Sequence, residues 1–183
     1  LRIDSQHSVP DAVEALNRLG EVVYAEPDYK MGLEDVIPEE PDFWRQWPFR
    51  NTGQYVGSAA AADIKAPQAW ALSLGSPSVL VAIIDTGVHA THPDLAANMW
   101  RNPGEIPGNG IDDDGNGYVD DIHGIDAWNA TGDPLDEDGH GTACAGIVAA
   151  SWNGTGVVGV APQVRLMALK AYYVDEEGNH HLP

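Results

Sequence analysis

One cysteine, Cys144, stands among 183 residues, so an internal disulfide framework is excluded and paired thiolate metal ligands are not expected. Long apolar runs are also missing. The best stretch, Val79 to Val88, is broken by Asp85 and falls far short of the roughly 20 residues that span a bilayer. Basic residues are scarce: 9 Lys and Arg face 28 Asp and Glu, a formal charge of −19. Such a surface repels phosphate backbones and anionic lipid, which argues against nucleic-acid or membrane-surface roles. The chain starts at Leu1 with no basic segment leading into an apolar one, so any export signal is expected outside these residues. There is no fixed-period repeat, and the glycine-rich stretches give no warrant for nucleotide binding.

The periodic segments set out the architecture. Val13, Leu16 and Leu19 recur at intervals of three between Pro10 and Gly20, which predicts a short amphipathic helix. Val22 to Tyr24 reads as a short strand. From Asp28 to about Pro48 the chain turns acidic and proline-rich around Phe43, Trp44 and Trp47, the composition of a linker with a few anchors. A helix beginning near Asp63, with Pro67 in its first turn, is expected to run toward Ser73. Val79 to Asp85 is nearly all β-branched or aliphatic and predicts a parallel strand buried on both faces. Its end carries Asp85, where an open α/β sheet presents its working edge. Residues 102–121 are dominated by Gly, Asn and Asp and read as a long loop. A small-residue helix from Thr142 to Ala150 follows, then a Gly-rich break and a strand from Val164 to Leu169. Strand, helix and strand in that order give an α/β fold built on a mainly parallel sheet.

A strand ending in Asp85 and a helix opening with His140 supply two parts of a charge-relay arrangement: a carboxylate that orients an imidazole, and an imidazole that takes a proton from a nucleophile. Taken singly, Asp85 reads first as a strand-end turn cap and His140 as a helix-entry residue. Gly139 and Gly141 flank the histidine and permit close approach of backbone.

Three ordered segments carry a resemblance. VAIIDTGVHATHPDL (Val81–Leu95), DGHGTACAGIVAA (Asp138–Ala150) and GVVGVAPQVRLMALK (Gly156–Lys170) resemble the aspartate block, the histidine block and the calcium loop with its following strand in subtilisin-like serine proteases. The resemblance implies a partial subtilisin-like three-layer fold, with Asp85 as orienting acid and His140 as general base. It also implies that His92 and Asp94, in the turn after the aspartate, stand outside the triad. Cys144, four residues after His140, is expected to be structural.

LNRLGEVVYAEPDY (Leu16–Tyr29) is similar to the end of the family's α+β inhibitory propeptide, and FWRQWPFRNTGQ (Phe43–Gln54) to the start of mature domains. The implied organisation is propeptide end at 1–29, linker and processing region at 30–48 with the cut between Asp28 and Asp42, and an incomplete catalytic domain at 49–183. The family's nucleophilic Ser, on a GTSMAxP-like segment, and its oxyanion Asn have no counterpart in these residues. The implied protein is a serine endopeptidase precursor, secreted or in an organelle lumen. Its partners are a peptide or protein substrate, its own propeptide as inhibitor, and the remaining half of the catalytic domain. The segment by itself is expected to be inactive. The alternative is a naturally short, non-catalytic binding or inhibitory relative stabilised by calcium.

Calcium takes six to eight hard oxygen ligands. By resemblance, Asp94 matches a calcium carboxylate, and Ser151, Asn153, Thr155 and Val157 match the loop that supplies carbonyl oxygens and one Asn side chain. Gln54 is the candidate ligand from the front of the domain. A second candidate lies in IDDDGNGYVDD (Ile111–Asp121). Asp112, Asp114 and Asn116 alternate as in an EF-hand loop, Tyr118 offers a carbonyl, Asp120 falls at the ninth position, and Asp121 is a further donor. His123 replaces the closing Glu and no flanking helices are predicted. An isolated calcium loop therefore competes with a merely solvated acidic turn.

Overall fold

The computed structural model describes residues 8–25, 35–174 and 180–181. The chain divides into two units, Leu1–Leu33 and Glu34–Pro183. Parts of the expected propeptide end and linker, residues 1–7 and 26–34, lie outside the described residues.

In the first unit, helix α1 spans Val9–Asn17. The Ser8 side chain accepts from the Asp11 backbone N–H at 3.2 Å, satisfying one of the free donors of the first turn, and Pro10 fits there because it has no N–H to lose. Val22 to Tyr24 does not form the expected strand. The Asn17 side chain instead accepts from the Ala25 N–H at 2.6 Å and donates to the Ala25 carbonyl at 2.9 Å, turning the backbone back on the helix. No strand among the described residues pairs with this stretch, and Val23 is fully exposed, so its β-branched character has nothing to pack against.

The second unit is built on three parallel strands, β1 (Leu80–Asp85), β2 (Gly124–Asp126) and β3 (Arg165–Lys170), in the order β1-β3-β2. Two short strands, β4 (Tyr173–Val174) and β5 (His180–His181), pair antiparallel. Helix α2 is Ala66–Trp70 and helix α3 is His140–Ala149. Small residues at Gly141, Ala145 and Ala149, spaced by four, give α3 a buried face. Its core includes Ile83, Val88, Leu95, Met99, Leu166 and Ala168. A second cluster joins Phe43, Phe49, Ala66, Trp70 and Val158, with Trp70 Nε1 donating to the Val160 carbonyl at 2.9 Å.

Residues 35–48, which read as a linker, are anchored within this unit. Val36 N–H donates to Pro67, Asp42 N–H to Gly156, and the Gln46 amide pairs with both backbone groups of Val158. Helix α2 is shorter than expected because Lys65 before it is left-handed, at φ 60°, and Asp63 caps the turn by accepting from the Asn51 and Lys65 N–H groups. Strand β1 departs further from expectation. Only Ile83 is fully buried, whereas Leu80, Ala82 and Ile84 are exposed. The reason is position: β1 is an edge strand, with β3 on one side, and its outward face is uncovered among the described residues.

The parallel register brings Asp85, Lys170 and Asp126 side by side at the carboxyl ends of the three strands. Lys170 is 5% exposed. Its ammonium lies 3.7 Å from Asp126, 3.2 Å from Glu137 and 3.0 Å from the Leu135 carbonyl, so its buried charge is paired and hydrogen-bonded. This contact also holds the loop that leads into α3.

Candidate active site

Asp85 ends β1 and His140 opens α3, and the fold brings them together across 55 residues. His140 Nδ1 lies 2.7 Å from Asp85 Oδ1. The carboxylate can only accept, so the Nδ1 position carries the proton and Nε2 is the nitrogen left to take another. Asp85 Oδ1 also accepts from the Thr86 N–H at 2.8 Å. Burial pushes the Asp85 carboxyl upward, but the bonds from His140 and Thr86 outweigh it and hold the group below its ordinary value. His140 is raised above an ordinary imidazole, first by the hydrogen bond to Asp85 and then by that carboxylate's charge. The ring is exposed and the carboxylate largely covered. An anchored acid therefore presents an accessible base.

The flanking glycines have separate roles. Gly139 is left-handed at φ 100°, a conformation that L side chains rarely adopt. Gly141 sits so close to β1 that a Cβ there would press into the Gly87 carbonyl oxygen and reach 3.0 Å from Asp85 Cβ. Cys144 Sγ lies 3.8 Å from His140 Nδ1. Burial, followed by the charge of Asp85, pushes its thiol up and keeps it protonated, which removes the thiolate that nucleophilic chemistry requires.

Asp94, Ser151, Asn153, Thr155 and Val157 are gathered around one loop. Asp94 Oδ1 accepts from the Thr155 hydroxyl at 3.1 Å and Oδ2 from the Val157 N–H at 3.2 Å. Asn153 donates to the Pro93 carbonyl and accepts from Thr155. Gln54 is not at this loop; its side chain binds Trp44, Arg50 and Thr52. The residue that sequence reasoning missed is Glu40. It is 4% exposed, its Oε1 accepts from the Gly154 N–H at 3.1 Å, and its Oε2 has no partner among the described residues. The buried Ser151 hydroxyl is likewise unpartnered. Glu40 lies in an acidic stretch with no periodic signal, so nothing in its neighbourhood marks it out. The same loop spells GTGVVG, a GxGxxG pattern, but it follows α3 and precedes β3, the reverse of the strand, loop and helix order that dinucleotide binding needs.

The acidic loop is organised differently from an EF-hand. Asp112 accepts from the N–H groups of Gly115, Asn116 and Gly117, and Asp120 from those of Gly108, Asn109 and Gly110. Both carboxylates are thus occupied in shaping the turn, and the Tyr118 N–H donates to the Asn116 side chain. Asp114 instead gathers with Asp121 and with Glu105, which lies outside the predicted segment; oxygens of the three lie within 4.8 Å of one another. The amides of Asn102 and Asn116 donate between Asp114 and Asp121.

Residues 76–182 match the subtilase family. Over 93 residues, 50% of this chain, the sequence is 46% identical to Subtilisin-like protease 1 of Plasmodium berghei, covering 16% of that protein. Over 173 residues, 94% of the chain, it is 31% identical to the Thermophilic serine proteinase of Bacillus sp. strain AK1, covering 34% of it. The serine protease of Aeromonas sobria, solved in complex with the chaperone ORF2, shares the fold with a TM-score of 0.59 and 25% identity, over 84% of this chain and 24% of that one. The chain thus spans well under half the length of these relatives. No helix among the described residues is long and apolar enough to cross a membrane.

Proposed function

Because this chain belongs to the subtilase family, we propose that it is part of a serine endopeptidase in which His140 activates a Ser lying outside residues 1–183. His140 Nε2 takes the hydroxyl proton as the Ser attacks a peptide carbonyl, and later returns it to the leaving amine. Asp85 holds the ring in the tautomer that leaves Nε2 free and stabilises the imidazolium. The observation that carries this reading is the 2.7 Å contact between His140 Nδ1 and Asp85 Oδ1 at the carboxyl edge of a parallel sheet. Residues 1–29 belong to an inhibitory propeptide, residues 30–48 contain the processing site, and the enzyme works after secretion or in an organelle lumen.

A serine-directed fluorophosphonate probe tests the proposal. The full-length protein labels and hydrolyses casein, the His140→Ala variant does neither, and residues 1–183 alone do neither for want of the nucleophile. A full-length protein that neither labels nor cleaves would be a non-catalytic relative, and the proposal would fall.

Structural calcium belongs to the same reading. Glu40 and Asp94 supply carboxylates, Asn153 a side-chain oxygen, and Ser151, Thr155 and Val157 carbonyls. The fit rests on the buried Glu40 oxygen and Ser151 hydroxyl that lack partners among the described residues, since a buried carboxylate oxygen without a donor is costly unless a cation neutralises it. Asp114, with Glu105 and Asp121, is a second calcium position, where a cation would relieve the crowding of three carboxylates. Asp112, Asn116, Tyr118 and Asp120 shape that loop. A cation held at about 100 times its dissociation constant adds about 2.7 kcal/mol. Chelation is therefore expected to lower the melting temperature of the full-length protein by roughly 2–4 °C, and Glu40→Gln to shrink that difference. A melting curve indifferent to both chelator and Glu40→Gln would refute the first site.

A further inference from the structure

Asp136 lies four residues before His140, and its carboxylate bonds the residues around the ring rather than the ring itself. Its carboxylate is 9% exposed and accepts from both sides of the dyad. Oδ1 receives the Thr86 hydroxyl at 2.9 Å and the N–H groups of Asp138 and Gly139 at 3.1 and 2.9 Å. Oδ2 receives the N–H and hydroxyl of Thr142 at 2.9 and 2.5 Å. Burial pushes this carboxyl up, but bonds led by Thr142 and Gly139 more than reverse it, so the group is an anion aimed at the first turn of α3. Gly139 has no side chain to cap that turn, and Asp136 satisfies its free donors instead.

Thr86 converts this cap into a link. It is 4% exposed and directly follows Asp85. Its hydroxyl donates to Asp136 and accepts from the N–H of Gly141 at 2.9 Å, the residue directly after His140. One hydroxyl therefore joins the backbone neighbours of both dyad members, and Asp136 fixes which way that hydroxyl points. The Thr142 hydroxyl repeats the pattern by accepting from the His89 N–H at 3.0 Å, beyond the end of β1. From the sheet side, Lys170 holds the Asp136 loop through Leu135 and Glu137.

We propose that Asp136 is a positioning residue that, through Thr86, sets the separation and alignment of Asp85 and His140. The kinetic consequence rests on the protease reading above, whereas the alignment does not. Misplacing a catalytic group by about 1 Å can cost about 100-fold in rate. In the full-length protein, Asp136→Asn is expected to lower kcat about 10- to 100-fold per titrated active site with KM within about twofold, because its amide would face N–H donors. Thr86→Val should do the same, Thr86→Ser should remain close to wild type, and the double variant Asp136→Asn with Thr86→Val should be no worse than the poorer single one. Proton NMR supplies a readout independent of turnover: the low-field resonance of the His140 Nδ1–H moves upfield in Asp136→Asn and Thr86→Val and stays in Thr86→Ser.

A variant with a lowered melting temperature but wild-type kcat per titrated site and an unmoved resonance would make Asp136 a helix cap only and overturn the proposal. Should Asp136→Asn fail to fold, the Thr86 pair decides, and identical behaviour of Val and Ser would overturn it as well. If the wild-type protein proves inactive, the protease reading fails alone and the resonance still judges the alignment.

Discussion

Asp85→Asn in the full-length protein is expected to lower kcat about 10,000-fold while leaving the fold intact. The carboxylate of Asp85 accepts the Nδ1 proton of His140, whereas an amide can present an N–H to the same nitrogen. Nδ1 then becomes the acceptor, the proton resides on Nε2, and the ring turns a donor toward the nucleophile it must deprotonate. The pH profile gives an independent signature. General-base catalysis requires neutral His140, so activity is lost as pH falls through the imidazole value, which Asp85 raises above that of free histidine. Removing the carboxylate charge removes that elevation, and the acidic limb of kcat/KM should move to lower pH while the plateau collapses. A loss smaller than tenfold, or an acidic limb that stays in place, would contradict the assigned roles.

Gly141→Ala sets two principles against each other. Helix propensity favours Ala over Gly by about 0.5–1 kcal/mol in a helix interior. Here the new methyl would press into the Gly87 carbonyl oxygen and crowd Asp85 Oδ1 at 3.1 Å. Backbone cannot swing aside as the end of a flexible side chain does, and overpacking of this kind costs about 1–3 kcal/mol or more. Sterics therefore win. Urea unfolding should show a net loss of about 1–2 kcal/mol, and any relief comes from sliding α3 off β1, which opens the Asp85–His140 contact and lowers kcat about 100-fold. Gly146 is the control, because a Cβ there meets nothing within 4 Å among the described residues. Gly146→Ala should stabilise by about 0.5–1 kcal/mol. Equal responses at the two positions would show that close packing at Gly141 does not govern the site.

Much of this was readable from local pattern. The aliphatic run through Ile84 gave β1, the small residues after His140 gave α3, and Val164 to Leu169 gave β3, each within about two residues of its observed ends. Those segments carry their signal in their own side chains. Strand β2 does not: Gly-Ile-Asp has no alternation to detect, and it forms because Gly124, at φ 130°, lets the backbone lie against Ala168. The apparent strand at Val22–Tyr24 failed for the converse reason, since no strand among the described residues lies alongside it. Asp85 and His140 stood out because they fall in the two segments that resemble the aspartate and histidine blocks of the family, whereas the strand end and flanking glycines alone left them open as caps. Glu40, Glu105 and Asp136 did not stand out, because their importance comes from what the fold brings to them from residues 154, 113–120 and 86. A carboxylate in an acidic chain of net charge −19 has no local mark that separates a structural oxygen from a solvated one.

The strand order β1-β3-β2 also governs when β1 acquires its neighbour. Leu80 pairs with Arg165, so a segment of 85 residues must be threaded before β1 has its neighbour. Closing a flexible loop of that length costs about 4 kcal/mol in chain entropy before the pairing repays any of it. On the ribosome, β1 emerges long before its partner, with Asp85 at its end and its aliphatic side chains unpaired. Helix α3, which packs on β1 directly, therefore leaves the exit tunnel before β3 does, and the strand that ends in Asp85 keeps an open edge until residues 165–170 arrive.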